Sequence, residues 1–369
     1  MIFLDCGATS LQKPAQVAAA MIWAMGHCAS PGRGSYCQAE EAAQAAFKCR
    51  TLAAQLFGAE PEQVVFTMNA THALNLAIKT LVSPGGSAVI SGFEHNAVTR
   101  PLYALGAKVR VAGRRLFDPA DTLRAFEAAL DVRPDAVVCT HVSNVFGYRL
   151  PIEEIARLCR EREVPLVVDA AQSAGHWPIS LRDLGAAFIA MPGHKGLYGP
   201  QGTGILLCGH PLKPLMEGGS GSLSRQQEMP DFPPDAGEAG THNVPGICGL
   251  AEGLRFVQRQ GPAELLRHER GLLELALEGL DGASGIRCFH GEAQMGVLSL
   301  TVDGVDCETA AQELAAREVA VRAGLHCAPL AHESAGTLET GTLRLSFSAF
   351  NTRNEVQRAA AIIRELGNR

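Results

Sequence analysis

Val164-Pro-Leu-Val-Val-Asp-Ala-Ala-Gln-Ser-Ala-Gly175, followed by Phe188-Ile-Ala-Met-Pro-Gly-His-Lys-Gly196, decides the fold of this chain. Each segment carries a short apolar run that ends in small or polar residues. Such runs, punctuated by Gly and Pro, read as strands buried on both faces of a parallel sheet. In open α/β sheets, ligands sit beyond the carboxyl ends of the strands. Asp169 closes the first run and Lys195 follows the second, so both face one crevice. An aspartate beside a pyridinium nitrogen and a lysine able to form an imine are the two protein groups that pyridoxal phosphate requires.

Taken singly, an Asp after a strand is also a common helix N-cap, and a Lys is commonly a solvated charge. The surroundings favour chemistry. Lysine is scarce, occurring at Lys13, Lys48, Lys79, Lys108, Lys195 and Lys213, while arginine is abundant. Lys195 alone lies in a glycine-rich stretch, Gly193 to Gly204, where small residues let a ligand approach the backbone. Arginine stays protonated and cannot form an imine, so a lysine here suggests amine chemistry.

With 369 residues, 47% hydrophobic and 19% charged, the chain has room for one large and one smaller globular domain. A net charge of −6 without a basic run argues against nucleic acid. No apolar stretch is long enough to span a membrane, and the N-terminus lacks the pattern of a signal peptide, so a cytoplasmic protein is expected. The 11 cysteines show no paired spacing. Cys139, Cys159 and Cys208 lie in apolar segments and read as small buried hydrophobes. Cys327, after Gly324-Leu-His326 and before Pro329, reads as a loop residue.

A βα alternation runs through the first two thirds. Strands are expected near 63–67, 88–91, 109–111, 136–140, 166–168, 187–191 and 204–207, with an Ala-rich helix over 38–57 stopped by Gly58 and another over 71–81. The stretch between Pro211 and Pro245 is rich in Gly, Pro and Ser and has no period. Helices near 250–259 and 262–280 follow. Strand-like runs at 297–302 and 342–347, with helices at 306–317 and 353–366, then suggest a small α+β domain. The expected division is a large domain over 15–250 and a small one over 251–369, with residues 1–14 joining them.

Asp169-Ala-Ala-Gln-Ser-Ala-Gly175, Gly193-His-Lys195, Glu238-Ala-Gly-Thr-His-Asn243 and Arg322-Ala-Gly-Leu-His-Cys-Ala-Pro329 together resemble the class V aminotransferases. Within that family they are similar to the cysteine desulfurases and selenocysteine lyases with a compact cysteine loop. The likeness extends from Phe3-Leu-Asp-Cys-Gly-Ala-Thr-Ser10 to Phe350-Asn-Thr352. It implies the fold type I architecture of pyridoxal-phosphate enzymes, with a mainly parallel seven-stranded sheet flanked by helices and a smaller α+β domain.

The resemblance also assigns roles. The turn Thr67-Met-Asn-Ala-Thr-His72 opens a helix after a strand; by itself it is equally an anion site or a plain cap. By similarity, Ala70, Thr71, His72 and His194 take the cofactor phosphate, and Thr241 reaches it from the other subunit of a homodimer. His95, which alone reads as a helix-start residue, resembles the imidazole stacked on the ring. Asn144 and Gln172 face substrate and the cofactor phenolate oxygen, and Asp169 keeps the ring nitrogen protonated. Arg344 resembles the clamp for the substrate carboxylate, with Arg322 a second candidate.

The implied reaction is loss of sulfur from L-cysteine. Lys195 moves the α-proton, and Cys327 as thiolate takes the sulfur as a persulfide and leaves alanine. His326 and Arg322 are the expected source of positive charge near that thiol. A partner protein often collects sulfur in this group.

Three positions depart from the pattern. Cys6 stands where the family has Asn, Gly32 where a compact-loop desulfurase often has His, and Pro192 where a hydroxyl residue is usual. A selenocysteine lyase would use the same site. An aminotransferase or β-eliminating lyase would keep Lys195 and Asp169 without needing Cys327, and a sulfur-relay scaffold would need only the cysteine.

Overall fold

The computed structural model describes residues 1–32 and 34–367. Its largest element is a seven-stranded sheet of Val64–Thr67 (β1), Ser87–Ser91 (β2), Lys108–Ala112 (β3), Ala136–Thr140 (β4), Leu166–Asp169 (β5), Phe188–Pro192 (β6) and Gly204–Cys208 (β7), in the order β1-β7-β6-β5-β4-β2-β3. All strands share one direction except β7, which is antiparallel to both neighbours. This is the expected mainly parallel sheet.

Alternate residues along each strand enter different cores. Val137, Val168 and Ile189 face one layer, while Val138, Val167 and Phe188 face the other. Helices Ala70–Leu81 (α1) and Asn96–Ala104 (α2) cover the second face through Leu74, Ile78, Val98 and Leu102. Burial on both faces explains why these strands read as continuous apolar runs rather than alternating ones. The Ala-rich helix forms over Cys37–Phe57 and stops at Gly58, which takes the left-handed conformation with φ 58°.

The smaller unit has its own core and a four-stranded antiparallel sheet. Ile286–Phe289 (β8), Val297–Val302 (β9), Arg322–Gly324 (β10) and Thr342–Ser346 (β11) lie in the order β10-β11-β9-β8. Its core takes in Ile2 and Leu4 beside Leu272, Leu298, Leu343 and Ile363. Ile2–Phe3 also pairs in parallel with Val319–Ala320. The first residues are thus part of this unit's packing before the chain crosses to the central sheet. Helix Val244–Gln260 (α3) runs through position 250 and contributes Ile247, Leu250, Ala251 and Leu254 to the large core. Gly261, with φ 83°, separates it from helix Pro262–Leu280.

Candidate active site

A cavity of about 210 Å³ lies beyond the carboxyl ends of β4, β5 and β6, between the central sheet and the smaller unit. Asp169, Lys195, His95, Asn144, Arg344 and Cys327 all line it. So do Ala70, Thr71, Gln172, His194 and Arg322. Residues up to 337 positions apart in the chain therefore share one small space, counted from Gly7 to Arg344.

Lys195 sits in a turn that only glycines permit. A Cβ on Gly193 would lie 2.1 Å from Thr203 Oγ1, and one on Gly196 would lie 2.4 Å from the Ala174 carbonyl oxygen. The His194 carbonyl accepts the Ser10 amide at 2.9 Å and the Ser10 hydroxyl at 3.0 Å, fixing the turn from the other side. Burial pushes the Lys195 ammonium down to about 8, and the Asp169 carboxylate opposes that shift. An amine so poised is available as nucleophile and base near neutral pH.

Asp169 ends β5 and is buried, 3% exposed. Its Oδ1 accepts the Ala171 amide at 2.9 Å. Burial raises its carboxyl, while that amide and Lys195 hold the shift back. His95 turns out to be both a helix start and a cavity residue: its Nδ1 accepts the Ala97 amide at 3.0 Å and caps α2. The neutral ring therefore carries its proton on Nε2. Burial, then the Lys195 charge, push His95 down to about 4, so it is uncharged at neutral pH.

At the other end of the cavity, Asn69 caps α1 by accepting the His72 amide at 2.9 Å. Helix geometry leaves the amides of Ala70 and Thr71 without intrahelical acceptors, and both residues line the cavity. Here α1 offers an anion its free N–H groups and the positive end of its dipole. The His194 Nδ1 lies 3.1 Å from Thr9 Oγ1, and burial lowers this imidazole to about 4.

Arg344 is 2% exposed and carries the deepest positive charge. Its Nη2 donates to Asp5 Oδ1 at 2.7 Å and its Nη1 to the Asn144 carbonyl at 2.9 Å. Burial lowers it from the usual arginine range, against the pull of Asp5. Gly7 crosses directly over this group, since a Cβ there would sit 3.3 Å from the Arg344 Cζ. The Gln172 side-chain amide donates to the Gly7 carbonyl at 3.0 Å. Arg322 pairs in register with Arg344 across β10 and β11, and it is exposed and without an ion pair among the described residues. Two cations opposed on neighbouring strands repel each other and favour an anion between them.

Cys327 is exposed, in the loop between β10 and the helix Pro329–Ala335. His326 and Cys327 take consecutive left-handed conformations, φ 49° and 58°. Two carbonyl contacts hold the loop: the Asn144 side chain donates to His326 O at 2.8 Å, and the Asn96 amide donates to Cys327 O at 2.7 Å. The expected cationic role of His326 is corrected here. Its ring is 5% exposed and pushed down to about 2, mainly by burial and then by Arg344, so it carries no charge beside the thiol. The positive charge lining the cavity with Cys327 comes from the arginines and lysine.

His72 and Thr241 do not line this cavity. They meet in a neighbouring one of about 220 Å³, together with Glu238 and His242. Glu238 pins that loop: it accepts Arg50 through both oxygens, at 2.8 and 2.6 Å, and the Phe66 amide at 2.6 Å. Thr241 itself is exposed. Of the three departures, Cys6 is buried with its thiol pushed up to about 12, and Pro192 ends β6 at the cavity wall. Gly32 lies in the loop after the first long helix, with φ 137°.

Two polar residues of the site are missed by the sequence reading. Asp5 finds its partner Arg344 at a separation of 339 residues. Glu94, fully buried, accepts the Thr140 amide at 2.8 Å and the Ser91 hydroxyl at 2.5 Å, tying the ends of β2 and β4 together. Burial raises its carboxyl to about 8. Its place beside His95 was the one available hint.

A mainly parallel sheet with a lysine and an aspartate at its carboxyl edge, closed by a small α+β unit, defines a fold type I protein. The chain belongs to the class V aminotransferase family, whose pattern it matches over residues 2–359. It is 32% identical to a probable cysteine desulfurase from Methanothermobacter thermautotrophicus, over 99% of this chain and 94% of that one. Identity is 33% with probable cysteine desulfurase 2 from Mycobacterium leprae, over 99% of this chain and 92% of the relative. The apo structure of a cysteine desulfurase from Thermococcus onnurineus aligns with a TM-score of 0.89 at 31% identity, covering 100% of this chain and 94% of that chain.

Proposed function

We propose that this protein is a pyridoxal-phosphate enzyme that converts L-cysteine to L-alanine and holds the released sulfur as a persulfide on Cys327. The observation that carries the reading is the shared cavity, where a lowered lysine, a buried aspartate, a buried arginine and an exposed thiol all meet. The residues fit the cofactor. The amides of Ala70 and Thr71 and the ring of His194 would hold its phosphate, Asp169 its ring nitrogen, and Lys195 its aldehyde carbon. His95 would cover the ring, and Gln172 would face its phenolate oxygen. Bound there, the cofactor supplies an electron sink for bond breaking at the amino acid.

The chain's own groups supply the rest. Arg344, with Asn144 and the nearby Arg322, binds the substrate carboxylate and fixes which bonds face Lys195. The Lys195 amine takes the α-proton and later returns protons to carbon. The neutral His95 offers its Nε2–H as a hydrogen-bond donor over the ring without adding charge. The Cys327 thiolate attacks the substrate sulfur: a sulfur–sulfur bond forms, the carbon–sulfur bond breaks, and its electron pair ends in the protonated methyl group of alanine.

The relatives named as cysteine desulfurases support this substrate. A homodimer is proposed with it, because the exposed Thr241 stands outside its own chain's cavity and is free to meet a second copy. All eleven cysteines are free thiols, which fits a reducing, cytoplasmic location.

The test is incubation of wild type and Cys327→Ala with L-cysteine and separately with L-selenocysteine, recording alanine and the visible cofactor band. Alanine from L-cysteine that disappears in Cys327→Ala, with the band unchanged, is the expected result. Turnover confined to L-selenocysteine would move the substrate to the selenium compound. A band with no alanine from either would contradict the proposal.

A further inference from the structure

A second cavity, of about 320 Å³, meets the first at Cys327. Thr71, His95, Ala97 and Cys327 belong to the walls of both. The outer part of the second cavity is built from α1 and α2, and it carries Lys79 and Arg100. Both cations are exposed, and neither has an ion pair or side-chain hydrogen bond among the described residues. None of the described residues lining this cavity is acidic. In a chain with 38 acidic residues against 32 basic ones, two unpaired cations around an exposed thiol form a local reversal of charge.

We propose that this second cavity receives the molecule that removes sulfur from Cys327, and that this molecule is a small anionic thiol. The inference rests on the desulfurase reading and names the acceptor that reading leaves open. The two cavities give Cys327 two approaches. The amino acid occupies the side with Lys195 and Arg344, and the acceptor occupies the side with Lys79 and Arg100. A volume of about 320 Å³ lies at the small end of the range for pockets that hold small molecules, roughly 300–1,000 Å³. It fits a molecule of tripeptide size. Uncompensated cations raise the local concentration of an anion and speed its encounter.

The chemistry balances without an added oxidant or reductant. The acceptor thiolate attacks the outer sulfur of the Cys327 persulfide. A new sulfur–sulfur bond forms on the acceptor, the bond to Cys327 Sγ breaks, and Sγ leaves with the electron pair as a thiolate. The acceptor departs as its own persulfide. The loop suits this exchange, because it is held through the His326 and Cys327 carbonyls, leaving the Cys327 side chain unconstrained by those bonds.

The experiment uses holoenzyme loaded with L-cysteine, freed of excess substrate, and then chased with glutathione or with uncharged dithiothreitol. Loss of the persulfide from Cys327 is followed by mass spectrometry in wild type and in the double variant Lys79→Gln, Arg100→Gln. Transfer to glutathione should fall about tenfold in the variant, a loss of electrostatic steering. Transfer to dithiothreitol and alanine formed in the first turnover should stay unchanged. Equal glutathione rates in both proteins would overturn the proposal, as would an equal slowing with dithiothreitol. A wild-type persulfide that glutathione cannot discharge would also overturn it, pointing to a protein acceptor. Failure to form any persulfide on Cys327 would instead bring down the desulfurase reading itself.

Discussion

Lys195 and Cys327 line one cavity but are held in opposite ways. The lysine follows a buried strand in a turn where Gly193 and Gly196 leave no room for a Cβ. The cysteine stands exposed in a loop anchored by two hydrogen bonds to main-chain carbonyls. A group that must meet one carbon in one geometry is over-determined by packing. The group proposed to accept sulfur and then hand it on is left free at its side chain. The difference teaches that rigidity in this site follows the chemical task of each residue.

The sharpest way to break that contrast is to separate activity from stability. Cys327→Ser should lower alanine formation by at least about a thousandfold, because the nucleophile is lost. Its melting temperature should correspond to a change within about 0.5 kcal/mol, as expected for an exposed position. Measured stability loss comparable to a core substitution would show the loop to be structural. Arg344→Lys comes next. Losing the planar fork should raise KM for cysteine by roughly ten- to a hundredfold, with the cofactor band retained.

Gly196→Ala tests the rigid side. Its Cβ would lie 2.4 Å from the Ala174 carbonyl oxygen and 2.5 Å from the His176 ring. A cost of about 1–3 kcal/mol is expected, read as a drop in the denaturation midpoint. An unchanged midpoint would mean that the turn is looser than its packing indicates.

The smallest effect concerns pH. In cofactor-free protein the Lys195 amine should become reactive toward an amine-labelling reagent around pH 8, below the free-lysine value of 10.5. The Asp169 carboxylate favours the charged ammonium, so Asp169→Asn should move that labelling curve to lower pH. A shift to higher pH would contradict the assigned sign.

Much of the fold and site is legible in the sequence. The buried strands announced themselves as apolar runs, and the carboxyl-edge rule placed Asp169 and Lys195 together. Strands β8 and β10 escaped because they are short and carry exposed residues such as Arg287 and Arg322, so neither period nor hydropathy marks them. Asp5 escaped because its partner lies at the far end of the chain, a separation that no local pattern encodes. His326 was misread because sequence adjacency to a reactive thiol carries no information about burial. Its ring turns inward, 3.2 Å from the Thr342 carbonyl oxygen, while the next residue turns out.

The most direct measurement is mass mapping of wild type and Lys195→Ala after mixing each with L-cysteine. If the two residues serve one reaction, wild type gains a single sulfur on the peptide carrying Cys327, and Lys195→Ala gains none. Sulfur on Cys327 in both proteins, or on the exposed Cys37 in place of Cys327, would contradict the account.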